Sequence, residues 1–226
     1  MLTTEDTKKA AWATWILTIV LGLMITLVRS VMPMHVKITA GIVILEGILE
    51  MCICIAVVWL NHKALKGILF RKFTIKDLLK IIVCFAIVLG GNILFQIIIS
   101  IISQLIGIDL VTKMTEAPAA IVASQFFAAF PIGVIITTCI TAPLMEEVIF
   151  RMTLKNMLIN NVLFIVISPI LFAFVHTANF FAVGMIQYIV MGIIFAGLYL
   201  KTKDLRLVLC AHMLNNIMGA VITMSH

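Results

Sequence analysis

Residues 81–102 read IIVCFAIVLGGNILFQIIISII, without a single Lys, Arg, Asp or Glu. As a helix rising 1.5 Å per residue this run is about 33 Å long, enough to cross a hydrocarbon layer roughly 30 Å thick. A second run, Val183 to Leu200, is similarly apolar. Outside these runs the balance is the same: 63% of the 226 residues are apolar and only 12% charged, against roughly 45–50% and about 25% in soluble domains. Seven spans of about 20 residues would occupy about 62% of such a chain. The pattern therefore predicts an all-α, polytopic transmembrane helical bundle. A β-barrel would show short alternating segments instead. Disorder, collagen, coiled coil and a disulfide scaffold are excluded by composition.

Seven spans are expected, at 12–28, 38–60, 81–106, 132–155, 162–179, 182–200 and 207–224. Lys8 and Lys9 before an apolar run resemble a secretory leader, but no small-x-small site follows and Arg29 closes the run. The segment reads as an uncleaved first span. Residues 117–130, bounded by Pro118 and Pro131, are too polar and broken to extend the fourth span and read as an interfacial or bent lead-in helix. The net charge of +6 lies between apolar runs and not on a basic face interleaved with aromatics. That argues for the lipid bilayer as partner and against nucleic acid. With the N-terminus inside, 13 Lys and Arg fall in inner loops and three, Arg29, Lys37 and Lys113, in outer ones, which favours that orientation. Residues 1–120 then form a unit of three spans with a basic cytoplasmic loop at 61–80, and 121–226 a four-helix core. The five cysteines show no CxxC spacing and read as apolar core residues.

Polar groups inside apolar runs are the informative residues, because an ionisable side chain at mid-bilayer costs on the order of 2.5–3.5 kcal/mol. The densest case is A-P-L-M-E-E-V-I-F-R-M at 142–152. In a regular helix Glu147 and Arg151 share a face at i,i+4, whereas Glu146 points about 100° away. Arg151 is expected to neutralise Glu147. Glu146, facing elsewhere in the bundle without a local cation, is the candidate general base. His176 closes F-A-F-V-H and His212 opens H-M-L-N-N, with Asn216 on its face at i+4 and Asn215 at i+3. A carboxylate, two imidazoles and a carboxamide on three helices suit water activation and oxyanion stabilisation.

E-E-V-I-F-R, F-A-F-V-H and H-M-L-N-N resemble, in order and spacing, the three motifs of the CPBP family of intramembrane proteases, which includes the CAAX prenyl proteases and the Abi proteins linked to bacteriocins. The resemblance covers about residues 132–220. Met152 departs from it, since many members have glycine after the arginine. The resemblance implies an endopeptidase acting on a peptide or membrane-protein substrate. It would have Glu146 activate water, His176 assist, His212 and Asn216 stabilise the oxyanion, and Glu147 and Arg151 hold the helix. It leaves the cofactor open: Glu146, His176 and His212 are candidates for a divalent metal such as zinc, and a metal-free glutamate mechanism is equally compatible. It leans toward a bacterial cell membrane and leader, pheromone or bacteriocin precursor peptides, and leaves the oligomeric state open. The zinc signature HExxH, the aspartyl GxGD and the serine G-x-S-x-G are all absent from the sequence.

Two other functions compete. A bacteriocin-immunity or scaffold protein would keep the same residues for packing alone. A transporter could use Glu46 and Glu50 in the second span or Asn92 and Gln96 in the third, each pair at i,i+4. Without an inverted repeat, interhelical hydrogen bonding is the favoured reading of both pairs. The two histidines raise a further constraint: His176 lies about 21 Å along its span from Val162, but His212 only about 9 Å beyond Arg206. For the rings to meet, the fifth span must tilt or begin outside the hydrocarbon.

Overall fold

The computed structural model describes residues 4–31, 40–111, 131–158, 160–177 and 184–224, and among them every regular element is a helix. In chain order these are α1 (Thr4–Val31), α2 (Ala40–Leu60), α3 (His62–Leu69), α4 (Ile75–Ile106), α5 (131–157), α6 (Asn161–Thr177), α7 (Met185–Thr202) and α8 (Leu205–Met224). The segment 117–130, expected to be a lead-in helix, lies outside the described residues, as do the side chains of Glu46 and Glu50. By length and apolarity α4, α7 and Leu205–Ile222 of α8 can each cross a membrane, and α2 with α3 adds a fourth if that pair, bent by 88°, is one span.

The boundaries of α4 follow from its sequence. Thr74 and Asp77 form a reciprocal capping box, with the Asp77 N–H donating to Thr74 Oγ1 at 3.2 Å and the Thr74 N–H to Asp77 Oδ2 at 3.0 Å. At the other end Gly107 takes the left-handed conformation, φ 67°, which glycine enters without a Cβ penalty. Between these caps Ile82, Val83, Ile87, Ile93, Leu94, Ile97 and Ile101 are exposed. A helix that is apolar all round needs protein or lipid on every side. The chain is an integral membrane protein.

α5 is not the regular helix its sequence predicts. It runs as α-helix over Pro131–Ile136, π-helix over Thr137–Thr141, α-helix over Ala142–Glu146, π-helix over Glu147–Thr153 and α-helix over Leu154–Met157. Pro143 accounts for the first widening: it has no N–H, and its ring would collide with the Cys139 carbonyl of a regular helix. The Ala142 N–H instead reaches back five residues to the Thr137 carbonyl. In the second widening the Leu154 N–H is shared between the Arg151 and Ile149 carbonyls, passing over Phe150, whose carbonyl accepts the buried Ser168 hydroxyl of α6 at 2.8 Å. Such widened turns recur at functional sites.

The other helices pack around α5. Trp15 of α1 donates its indole N–H to Thr153 Oγ1 at 3.1 Å, and Asn61, just past α2, donates to Thr14 Oγ1 of α1 at 2.8 Å. α6 and α7 meet where Gly192 faces Pro169; a Cβ there would lie 2.7 Å from the proline Cα. The turn between α7 and α8 is tied to the start of α4 by Arg206. Arg206, one of the cations expected in inner loops, is buried. Its guanidinium donates to Asp204 Oδ1 and Oδ2 at 3.1 and 2.8 Å and to the Arg71 carbonyl at 2.8 Å, 4.6 Å from the centre of the Phe73 ring.

Candidate active site

The second π-helical turn of α5 carries Glu147 and Arg151, and Glu146 immediately precedes it. Glu147 and Arg151 are both inaccessible to solvent, with Arg151 Nε 3.5 Å from Glu147 Oε2. The guanidinium also lies 4.6 Å from the ring centre of Phe172 and 5.4 Å from that of Phe195. Aromatic faces attract a desolvated cation, so α6 and α7 help to hold it.

The expectation that Glu146 points away from Glu147 into a separate part of the bundle does not describe this geometry. One imidazole spans both carboxylates: His212 Nδ1 is 2.9 Å from Glu147 Oε1, and its Nε2 is 3.7 Å from Glu146 Oε2. Both residues keep ordinary right-handed helical backbone angles, and side chains about 100° apart still share one ring because they reach its opposite nitrogens. His176 approaches the same group from α6, with Nε2 3.6 Å from Glu146 Oε1. The two histidines thus meet on one carboxylate despite their different distances along their helices.

Hydrogen bonding fixes both rings. His176 Nδ1 lies 2.7 Å from the Phe172 carbonyl, which can only accept, so Nδ1 carries a proton and, in the neutral ring, Nε2 presents a lone pair to Glu146. His212 Nδ1 donates to the Glu147 carboxylate, which Arg151 neutralises. Each ring is also stacked on an aromatic of α7. His176 lies on Tyr188 with centroids 4.4 Å apart, and His212 on Phe195 at 4.3 Å. Tyr188 and Phe195 were invisible to motif reading, because nothing in their local sequence separates them from other apolar residues of α7.

Asn216 is held one turn beyond His212. In the i→i+5 register the Thr138 carbonyl faces Pro143, which has no N–H. Asn216 Nδ2 donates to that carbonyl at 2.8 Å. Asn215, noted in the sequence only for its spacing, donates to Asn216 Oδ1 at 3.3 Å. Asn92 in turn donates to Asn215 Oδ1 at 2.9 Å, whereas Gln96 is exposed.

Glu146, His176 and His212 supply the donor types of a catalytic zinc site. Among the described residues, however, no group of three or more His, Cys, Asp and Glu is arranged to hold a metal ion. The residues as placed do not fit one, and no step below passes through a metal.

Residues 128–218 match the family model described as type II CAAX prenyl endopeptidase Rce1-like. This segment is an Rce1-like domain. The family is a hydrolase family, and the Rce1-like domain supports intramembrane endopeptidase activity in general. It contains Glu146, Glu147, Arg151, His176, His212 and Asn216, while Asn92 and all of α4 lie outside it. No curated protein and no solved structure matches the chain.

Proposed function

We propose that the protein is an endopeptidase of the cell membrane in which Glu146 activates the attacking water. The observation that carries this reading is the approach of two imidazole Nε2 atoms, from α6 and α8, to the single Glu146 carboxylate at 3.6 and 3.7 Å. These separations exceed direct hydrogen-bond reach, and catalytic contacts are commonly long before substrate arrives.

In this mechanism Glu146 takes one proton from water as the oxygen attacks the scissile carbonyl. The His176 Nε2 lone pair accepts the hydrogen bond of the other water proton and so orients the nucleophile. The carbonyl π electrons move onto oxygen, and Asn216 with His212 stabilises the resulting oxyanion by N–H donation. His212 serves this role when both ring nitrogens are protonated, Nδ1 donating to Glu147 and Nε2 to the oxyanion. The charges of Glu146 and Glu147 are then balanced by Arg151 and His212. As the intermediate collapses, the C–N bond breaks and Glu146 returns its proton to the leaving amine. The acyl product is released as a carboxylic acid that gives its remaining proton to the amine, so the products are a carboxylate and an ammonium, and Glu146 is regenerated. The substrate class proposed is a membrane-associated peptide of prenylated or leader type.

The test uses purified protein in lipid nanodiscs with an internally quenched farnesylated CAAX peptide and a panel of membrane-bound leader peptides. Glu146→Ala, His176→Ala and His212→Ala are each expected to lower kcat at least 10²-fold, the scale of losing a key catalytic group, with thermal midpoints near wild type. Wild-type turnover in all three variants would overturn the assignment.

A further inference from the structure

Three carboxamides form a directed chain from α4 to α5. Asn92 Nδ2 donates to Asn215 Oδ1, Asn215 Nδ2 to Asn216 Oδ1, and Asn216 Nδ2 to the Thr138 carbonyl. The far end sets the direction. A backbone carbonyl only accepts, so Asn216 must turn its nitrogen toward Thr138 and its oxygen toward Asn215. Asn215 must then present nitrogen to Asn216 and oxygen to Asn92. Each carboxamide nitrogen has two hydrogens, so Asn216 retains one N–H beyond the bond to Thr138. A flipped Asn216 would offer a carbonyl oxygen where that N–H stands and would repel an oxyanion.

We propose that Asn92 is a positioning residue for peptide hydrolysis: through Asn215 it locks Asn216 in the orientation that offers an N–H to the oxyanion. The proposal rests on the role given above to Asn216. It brings a residue of α4, outside the Rce1-like domain, into control of the reaction. Thr138 restrains the nitrogen of Asn216 and the relay restrains its oxygen, so the carboxamide plane is held from both sides. Preorganised donors of this kind stabilise charge without reorganising during the reaction.

The test compares Asn92→Ala, which removes the donor, with Asn92→Gln, which keeps it, in full-length protein on the quenched farnesylated peptide. Asn92→Ala is expected to lower kcat about tenfold, since small misplacements of catalytic groups are costly, with KM within about twofold. Asn92→Gln is expected to recover most of that loss. In an Asn216→Ala background Asn92→Ala is expected to add nothing, because the group it positions is gone. An equal loss in both backgrounds, or a lowered thermal midpoint with unchanged kcat, would overturn the relay. If Asn216→Ala and Glu146→Ala lose turnover while Asn92→Ala does not, the relay alone fails; if all three retain it, the site assignment fails. A readout independent of turnover is the thermal midpoint. Asn92→Ala and Asn216→Ala should be non-additive with Asn215 present and additive in an Asn215→Ala background. Additivity in both overturns the proposal.

Discussion

Two adjacent carboxylates have opposite surroundings. Glu147 is held by Arg151 on one side and His212 on the other, with no exposure to solvent. Glu146 sits where two histidines converge. Removing one member of a buried ion pair leaves its partner's charge uncompensated, at a cost of about 3–5 kcal/mol. Glu147→Gln is therefore expected to lower stability by about that amount, read as a large fall in thermal midpoint. Glu146→Gln is expected to leave the midpoint near wild type while removing turnover. Equal falls in both variants would mean that the two carboxylates share a structural role. The Glu147–Arg151 pairing was legible from i,i+4 spacing. The bridging of both carboxylates by His212 was not, because it depends on a helix 65 residues away in sequence.

The decisive element is α5, and its departures from regular winding trace to Pro143 and to side chains that receive the displaced carbonyls. Asn216 takes the Thr138 carbonyl and Ser168 that of Phe150. A reading at 3.6 residues per turn finds the polar residues and the Glu147–Arg151 pair but not the partners that other helices bring to them. The α6–α7 contact carries a second local demand. Gly192 packs against the backbone of Pro169, and a Cβ 2.7 Å from the proline Cα cannot be relieved by turning a side chain. Gly192→Ala is expected to separate these helices and cost about 1–3 kcal/mol, the range for overpacking. Because α6 carries His176 and α7 carries Tyr188, turnover should fall together with thermal midpoint. An unchanged midpoint would show that the helices yield without strain.

Across the whole molecule the site is assembled from α5, α6 and α8, with aromatic support from α7 and a polar connection from α4. Arg206 and Asp204 close the end of the bundle where α7 turns into α8. Burial alone would push the Asp204 carboxyl up, but hydrogen bonds and charge from Arg206, with Arg71, prevail and hold it below the ordinary 3.8. A carboxyl depressed in the folded state contributes stability above its unfolded value and loses that contribution as pH falls through the folded one. The difference in thermal midpoint between wild type and Asp204→Asn should therefore be constant near neutrality and shrink below about pH 4. A difference independent of pH down to 2 would exclude this linkage. The sequence by itself determined the membrane class and the identity of the polar residues, since apolar length and the scarcity of charge are local properties. It also established the order of the motifs. Which atoms meet was decided only by the tertiary structure. The bridging His212, the stacking of Tyr188 and Phe195, the burial of Arg206 and the chain from Asn92 to Thr138 all join residues far apart in sequence, whose relative direction is set by helix winding and packing and has no local signature.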